Sequence, residues 1–470
     1  MPVTLTAVTL AAMAIVIQDN AQLRAAPRES AQQQVLLWQG DSLEIRGEKG
    51  DYLQVYDHRR ERAGYIRASQ VRQLSLKPAD APELMSVVRF LKDTPGAEAM
   101  GIAYAAAFLR AAPKEAITAE TFDALGGMAE RLARRASAKN GKAQETTLSA
   151  HLDVVAAYGI KMRGYEHDGR IQLCYDGEAF RRAMALRADP QQQARAALAL
   201  TRQECLDPDQ RPAERYAVDQ WRADVLDKVD MRDLPAHLKN RLHMRRAAVW
   251  STLAFARARK SEPAKAVADR ALSELGSVSK IDLAEEDSAV YADAGVRVGS
   301  VRWAAEPAAV ASTGLQVRTK AGLPGETCVS LYTRAAAAPL ATRCTYGVVW
   351  AASARAHPAG IALALAVQPM AAWREMWVFH KNASGWIVDV VPAAAVDPDV
   401  GYAEFAGWVP GAAKMLAVRE ARVEGRFKRS FEVLNLDTLG IEIWADKPMS
   451  VTLFHRWQDA AWKSQTVSLR

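Results

Sequence analysis

Residues 14–74, AIVIQDNAQLRAAPRESAQQQVLLWQGDSLEIRGEKGDYLQVYDHRRERAGYIRASQVRQL, decide how the rest of the chain is read. Ile15, Val16 and Ile17 form a short β-branched run, followed by the turn formers Asp19 and Asn20. Leu23-Arg24-Ala25-Ala26-Pro27 leads into a polar loop over 28–34. Val35 to Trp38 is the next apolar run, closed by Gly40-Asp41. Leu43 and Ile45 alternate with Glu44 and Arg46, the pattern of a strand with one buried face. Tyr52, Leu53 and Val55 follow a Gly50-Asp51 turn, and Gly64-Tyr65-Ile66-Arg67 ends the set before a short helical turn over 68–71. Short apolar runs separated by turn residues predict a small all-β barrel.

The order of these pieces resembles bacterial SH3-like (SH3b) domains in four places. Leu23-Arg24 with Pro27 is similar to that family's LRxxP element. Leu37, Gly40-Asp41 and Leu43 to Ile45 are similar to its LxxGdxlxv element. Tyr52 to Val55 stands where the family has an aromatic and then a valine. Gly64-Tyr65-Ile66 with Ser69 and Val71 is similar to its closing GWVxxsyl, with Tyr65 where Trp is commoner. The resemblance covers about an eighth of the chain. It implies binding of cell-wall peptides or envelope proteins, with no catalysis and no cofactor or metal. In such a barrel, loop aromatics line the ligand groove, because flat rings offer contact area at small entropic cost. The ligand-binding candidates are Trp38, Tyr52, Tyr56, Arg59 and Tyr65, with Arg24 and Arg60 also able to pair with peptide carboxylates. Tyr52 and Tyr56 share a strand parity, so both face the core or both face outward. The alternative is a barrel that only packs against its own neighbours.

The chain has 470 residues, enough for several domains with real cores. Half of them are hydrophobic, yet no window of about twenty is free of polar breaks, so no spanning helix is expected. Arg far outnumbers Lys and Ala is abundant, a composition associated with GC-rich bacterial genomes. The net charge of +7 is a mild excess that favours weak attraction to anionic surfaces. Nucleic-acid binding would need a dense basic stripe with aromatics between. The nearest approach, Lys239, Arg241, His243, Arg245 and Arg246, reads better as a solvated helix face.

Four cysteines, Cys174, Cys205, Cys328 and Cys344, lack the spacing of a zinc site. Their even number and closeness in sequence predict disulfides 174–205 and 328–344, each contributing about 3 kcal/mol by restricting the unfolded chain. Such bonds place the chain in an oxidising compartment, here the periplasm. Free thiols in a cytosolic protein are the alternative. Residues 1–13 read as a remnant of, or replacement for, an export leader. They are apolar and end near Ala11-Ala12, but no basic residue precedes the apolar stretch.

After a linker at 77–81, the pattern is helical to about 300. Phe122, Leu125, Met128 and Leu132 share one helix face, with Thr118 as N-cap. Leu148, Leu152 and Val155 mark the next helix. Val218, Trp221, Val225 and Val229 mark one that opens at Pro212. A longer helix is expected over 233–259. The breaks suggest antiparallel hairpins stacked as an array without a strict repeat. Cys174 and Cys205 flank a helical hairpin broken at Asp189-Pro190.

From about 301 the period changes to two, and Asn382-Ala383-Ser384-Gly385 reads as a hairpin turn. Trp408-Val409-Pro410-Gly411 with Lys414 to Val418, then Phe431 to Asp437, is similar to a blade of a TolB-like β-propeller. A complete ring does not fit the remaining length, so a twisted sheet or sandwich is the alternative.

Catalytic motifs are absent: no G-x-S-x-G, H-E-x-x-H, P-loop or G-x-G-x-x-G. Glu166-His167-Asp168 is the densest acid–base cluster and reads as a turn. Asp282, Glu285, Glu286 and Asp287 read as a solvated helix start. The expected fold is thus multidomain α+β. It has an SH3-like barrel over 14–76, an all-α array over 77–300 and a C-terminal antiparallel β domain over 301–470, propeller-like or a sheet. The expected role is a non-enzymatic exported envelope scaffold or recognition protein. An envelope hydrolase and a cytosolic helical scaffold are the alternatives.

Overall fold

The computed structural model describes residues 12–167, 170–306, 314–333, 337–396, 398–460 and 462–463. Most of the expected leader, and Asp168 of the acid–base cluster, lie outside the described residues. The chain divides into two compact units. One holds the residues up to Gln210 together with Val229–Asp233. The other holds Arg211–Lys228 and Leu234 onward. The helical run expected over 77–300 is therefore shared between the units.

The first unit opens with seven strands: β1 (Met13–Val16), β2 (Ala21–Arg24), β3 (Gln33–Leu37), β4 (Ser42–Lys49), β5 (Tyr52–Asp57), β6 (Arg62–Arg67) and β7 (Val71–Leu74). They form one antiparallel sheet in the order β3-β2-β6-β5-β4-β1-β7. Ala14, Leu23, Leu37, Leu43, Val55, Ile66 and Val71 share one apolar cluster. All seven strands contribute to it, which requires the sheet to curl around them. The expected SH3-like barrel thus corresponds to a curled antiparallel sheet with two edges, β3 and β7, neither of which has a second neighbour among the described residues.

Four helices follow, α1 (Ala81–Leu91), α2 (Glu98–Ala111), α3 (Ala119–Ser137) and α4 (Lys142–Ala156). Ile15 of β1 joins their core with Leu84, Val88, Ile102, Phe108, Met128 and Val155. Thr118 stands at the N-cap of α3, but its side chain makes no capping bond. The expected continuous helical pattern is then broken by a hairpin, β8 (Met162–His167) and β9 (Arg170–Tyr175). Ile171, Leu173 and Tyr175 alternate there with Gln172 and Cys174, a period-two signal inside a helical neighbourhood. Cys174 thus lies in a strand. Helices α5 (Glu178–Ala185) and α6 (Pro190–Leu200) complete the unit, α6 opening on an Asp189/Gln192 capping box. Cys174 is bonded to Cys205 in the turn after α6.

The second unit begins with α7 (Pro212–Asp227), α8 (Ala236–Arg259), α9 (Lys265–Gly276) and α10 (Ser288–Val301). The buried face of α7 carries Asp219, Arg222, Ala223, Val225 and Leu226. Of the expected apolar stripe, Val225 and Val229 are buried and Val218 is half-buried, but Trp221 is exposed, which corrects the stripe at that position. An Asp219–Arg222 ion pair of 2.6 Å occupies the interior, where an apolar pattern search does not look. On α8, Arg241 pairs with Asp287 and His243 with Glu274, so part of the basic run is neutralised by carboxylates.

Strands β10 (Leu315–Ala321), β11 (Thr327–Thr333) and β12 (Ala341–Thr345) make a small sheet, in which Cys328 and Cys344 are opposed in register and bonded. An eight-stranded sheet follows: β13 (Val348–Ala356), β14 (Ala362–Met370), β15 (Trp373–Asn382), β16 (Gly385–Val391), β17 (Gly401–Trp408), β18 (Lys414–Val423), β19 (Arg426–Asn435) and β20 (Ile441–Ala445). Its two antiparallel runs are joined by a short parallel pairing of β15 with β17, Trp373↔Gly401 and Arg374↔Tyr402. The small sheet covers part of the large one through Leu331, Leu363, Leu365, Trp377 and Phe379. Helix α11 (Thr452–Trp457) and α10 cover another part through Phe454, Val296, Leu416 and Phe431. The expected propeller-like blade over 402–439 is corrected: these residues are the β17–β18–β19 meander of a continuous sheet. Trp408 is half-buried against Phe405 and His357.

Candidate functional site

In the first unit, the turn after β3, the β5–β6 turn and helices α2 and α4 enclose a cleft of about 510 Å³. The turn after β3 packs tightly because residue 40 is glycine. Its φ is +90°, and a Cβ there would come within 2.6 Å of the Ala99 carbonyl oxygen. Tyr158 donates from its hydroxyl to the Gly40 carbonyl at 2.5 Å. Burial pushes that phenol up to about 12, so it stays protonated and holds the turn.

Two buried carboxylates organise the floor. Asp57 accepts from the backbone N–H of Arg59 (3.0 Å) and of Arg60 (3.3 Å), which fixes the β5–β6 turn. Asp41 accepts from the Trp38 N–H at 2.9 Å. Arg60 bridges both acids, at 2.7 Å to Asp57 and 3.2 Å to Asp41. Burial alone would lower the Arg60 guanidinium, but these two acids raise it above its ordinary value. Arg60 is therefore structural. Arg59 lies beside it, 3.4 Å from Asp41, and is more exposed.

At the cleft mouth, Glu44 accepts from Arg46 (3.3 Å) and pairs with His58 Nε2 (2.7 Å). Those bonds, Arg46 first, hold its carboxyl below the ordinary value. The Arg46 guanidinium lies 4.0 Å from the Tyr56 ring centroid, and His58 meets the same ring edge-on at 4.9 Å. Arg110 of α2 lines the cleft with no carboxylate partner among the described residues. It reaches only Met13 Sδ, at 3.5 Å. The cleft thus brings together Arg59, which pairs with Asp41, Arg110, unpaired among the described residues, and the anions Glu44, Asp41 and Asp57, with the Tyr56 ring next to His58 at its mouth.

The sequence-derived candidates separate into three groups. Arg59 lines this cleft, and Tyr56 does not line it but meets the ring of His58, which does. Tyr52 and Tyr65 share the outward face of β5 and β6 with Tyr56, since Tyr65 pairs with Gln54. Tyr52 is nevertheless buried, beneath Arg67 at 5.4 Å. Trp38 is half-buried against the helical core and edge-on to His151 at 6.5 Å. Glu44, His58, Arg110 and Tyr158 escaped sequence reasoning. Glu44 and His58 occupy ordinary polar slots of a strand and a turn, and Arg110 and Tyr158 arrive from distant helices.

Three histidines pair with carboxylates: buried His151 with Asp19 (2.8 Å), half-buried His243 with Glu274 (2.7 Å) and buried His380 with Asp389 (2.9 Å). Burial pushes Asp19 up, but the His151 bond and the Gln39 N–H prevail and hold it below its ordinary value. Among the described residues no hydroxyl or thiol is hydrogen-bonded to any of these rings. The Nδ1 atoms of His151 and His380 have no partner. A nucleophile–base pair is thus not formed at any of the three. Glu326, Cys328 and Cys344 lie close together, but both sulfurs are in a disulfide and offer no thiolate to a metal. No helix among the described residues is long and apolar enough to cross a membrane. Comparison with protein-family models, with curated proteins and with solved structures finds no match to this chain.

Proposed function

We propose that the chain is a non-enzymatic recognition or scaffold protein of the bacterial cell envelope, whose N-terminal sheet is an SH3b-like module for wall peptides or envelope proteins. The observation that carries this reading is the mixed-charge cleft beside Tyr56. Stem peptides of the wall carry free carboxylates and amines on one short chain. Arg59 and Arg110 suit the carboxylates, Glu44 suits an amine, and Tyr56 offers a flat apolar surface. The disulfides 174–205 and 328–344 support an oxidising, exported setting.

The test is a pull-down on purified peptidoglycan. Wild type should sediment with the wall material. The double variant Tyr56→Ala, Arg59→Ala and the single variant Arg110→Ala should each bind at least tenfold more weakly, with unchanged circular dichroism. Absence of wild-type binding, or equal binding by all three proteins, removes the cleft from consideration.

A further inference from the structure

The second unit contains a cavity of about 20 Å³ between the end of α10, the large sheet and the residues after α11. That volume holds a single small species. Its wall is unusually rich in buried charge. Arg302 and Arg374 both pair with Glu404, and Arg374 also donates to the Gly299 carbonyl at 2.5 Å. All three side chains are at least nine-tenths buried. Arg355, half-buried, and Asp459 complete the charged lining. Among the described residues that line it, three guanidiniums face two carboxylates.

The hydrogen-bond balance points the same way. Arg302 Nε, Trp303 Nε1 and Trp462 Nε1 are buried donors without acceptors among the described residues, and all three residues line the cavity. Arg302 and Arg355 also lie over the Trp303 ring, at 4.4 and 5.5 Å. A buried donor without an acceptor is costly, and so is an uncompensated buried cation. A water molecule could donate to Glu404 or Asp459 in the same wall, but it supplies no negative charge against the third guanidinium. A small anion accepts from every donor and supplies the missing negative charge.

We propose that this cavity is a binding site for one monatomic anion of halide size, held by Arg302, Trp303 and Trp462. The site belongs to the second unit and is independent of the wall-peptide reading.

Thermal unfolding of the full chain in sodium chloride and in sodium gluconate, at equal ionic strength, tests it. Chloride should raise Tm by roughly 3 °C per tenfold concentration above its dissociation constant, and gluconate should not. The double variant Trp303→Phe, Trp462→Phe removes two N–H donors while keeping aromatic bulk, and should lose the chloride dependence. Crystals soaked in bromide should show an anomalous peak in the cavity, and this measurement decides if the variant does not fold. Equal Tm in the two salts, a chloride effect that persists in the folded variant, or no bromine peak would each overturn the proposal.

Discussion

Glu98 opens α2 with no exposed surface, yet it is held as a carboxylate. Arg131 donates to it at 2.6 Å, Arg135 pairs with its other oxygen, and the Gly96 N–H donates at 3.2 Å. Burial by itself would raise its pKa, but these partners, Arg131 foremost, hold it below the ordinary 4.5. The ionised form therefore stabilises the fold above pH 4.5, and the contribution is lost as pH falls through the lower folded value. Glu98→Gln should cost about 3 kcal/mol at pH 7, because it leaves two arginines without their acid. Urea midpoints measured from pH 7 to pH 3 should show the gap between variant and wild type closing in acid. A gap independent of pH would remove the ion pair as the cause. Little of this was legible in the sequence. Glu98 stands in an alanine-rich run, and its partners come from α3, more than thirty residues on. Strand parity told only that Tyr52 and Tyr56 share a face; it did not show that Tyr56 would be half-exposed and Tyr52 buried with Arg67 over its ring.

Among the elements, the two disulfides do different work. Cys174–Cys205 closes a 31-residue separation and ties β9 to the turn after α6. Cys328–Cys344 joins residues that the β11–β12 ladder already opposes. The double variant Cys174→Ser, Cys205→Ser should lose about 3–4 kcal/mol by the chain-entropy argument. Guanidinium unfolding followed by helical circular dichroism would read this as a fall in midpoint. An unchanged midpoint would show that the helical hairpin closes without the bond. Both pairings were legible from spacing alone. The hairpin β8–β9 was not, because its alternation is short and lies among helices. The buried face of α7 was legible only at Val225 and Val229, because an Asp219–Arg222 pair fills a place where apolar residues are sought.

For the molecule as a whole, the change from period 3.6 to period 2 near residue 301 was legible, and so was its antiparallel outcome. The division into two units was not. It falls at Arg211, so α7 to α10 group with the β region rather than with the other helices. Local patterns report what an element is, while grouping depends on which faces meet, as when Val296 of α10 joins the core under β17, β18 and β19. Truncation after residue 400 should unfold the remaining sheet. Ala362, Ala364, Met376 and Val378 share their core with Ala403, Met415, Ala417 and Leu434, which the cut removes. A soluble 1–400 fragment with cooperative unfolding of its β signal would contradict this. The parallel seam between β15 and β17 also sets an order in time. During synthesis β13 to β16 can zip through consecutive hairpins as soon as Val391 emerges, since each pairing is local. The seam has to wait for Gly401, and the covering strands need roughly a few seconds more of elongation. For that interval the nascent half-sheet leaves its apolar face uncovered. Its safe arrival depends on whatever occupies that face first.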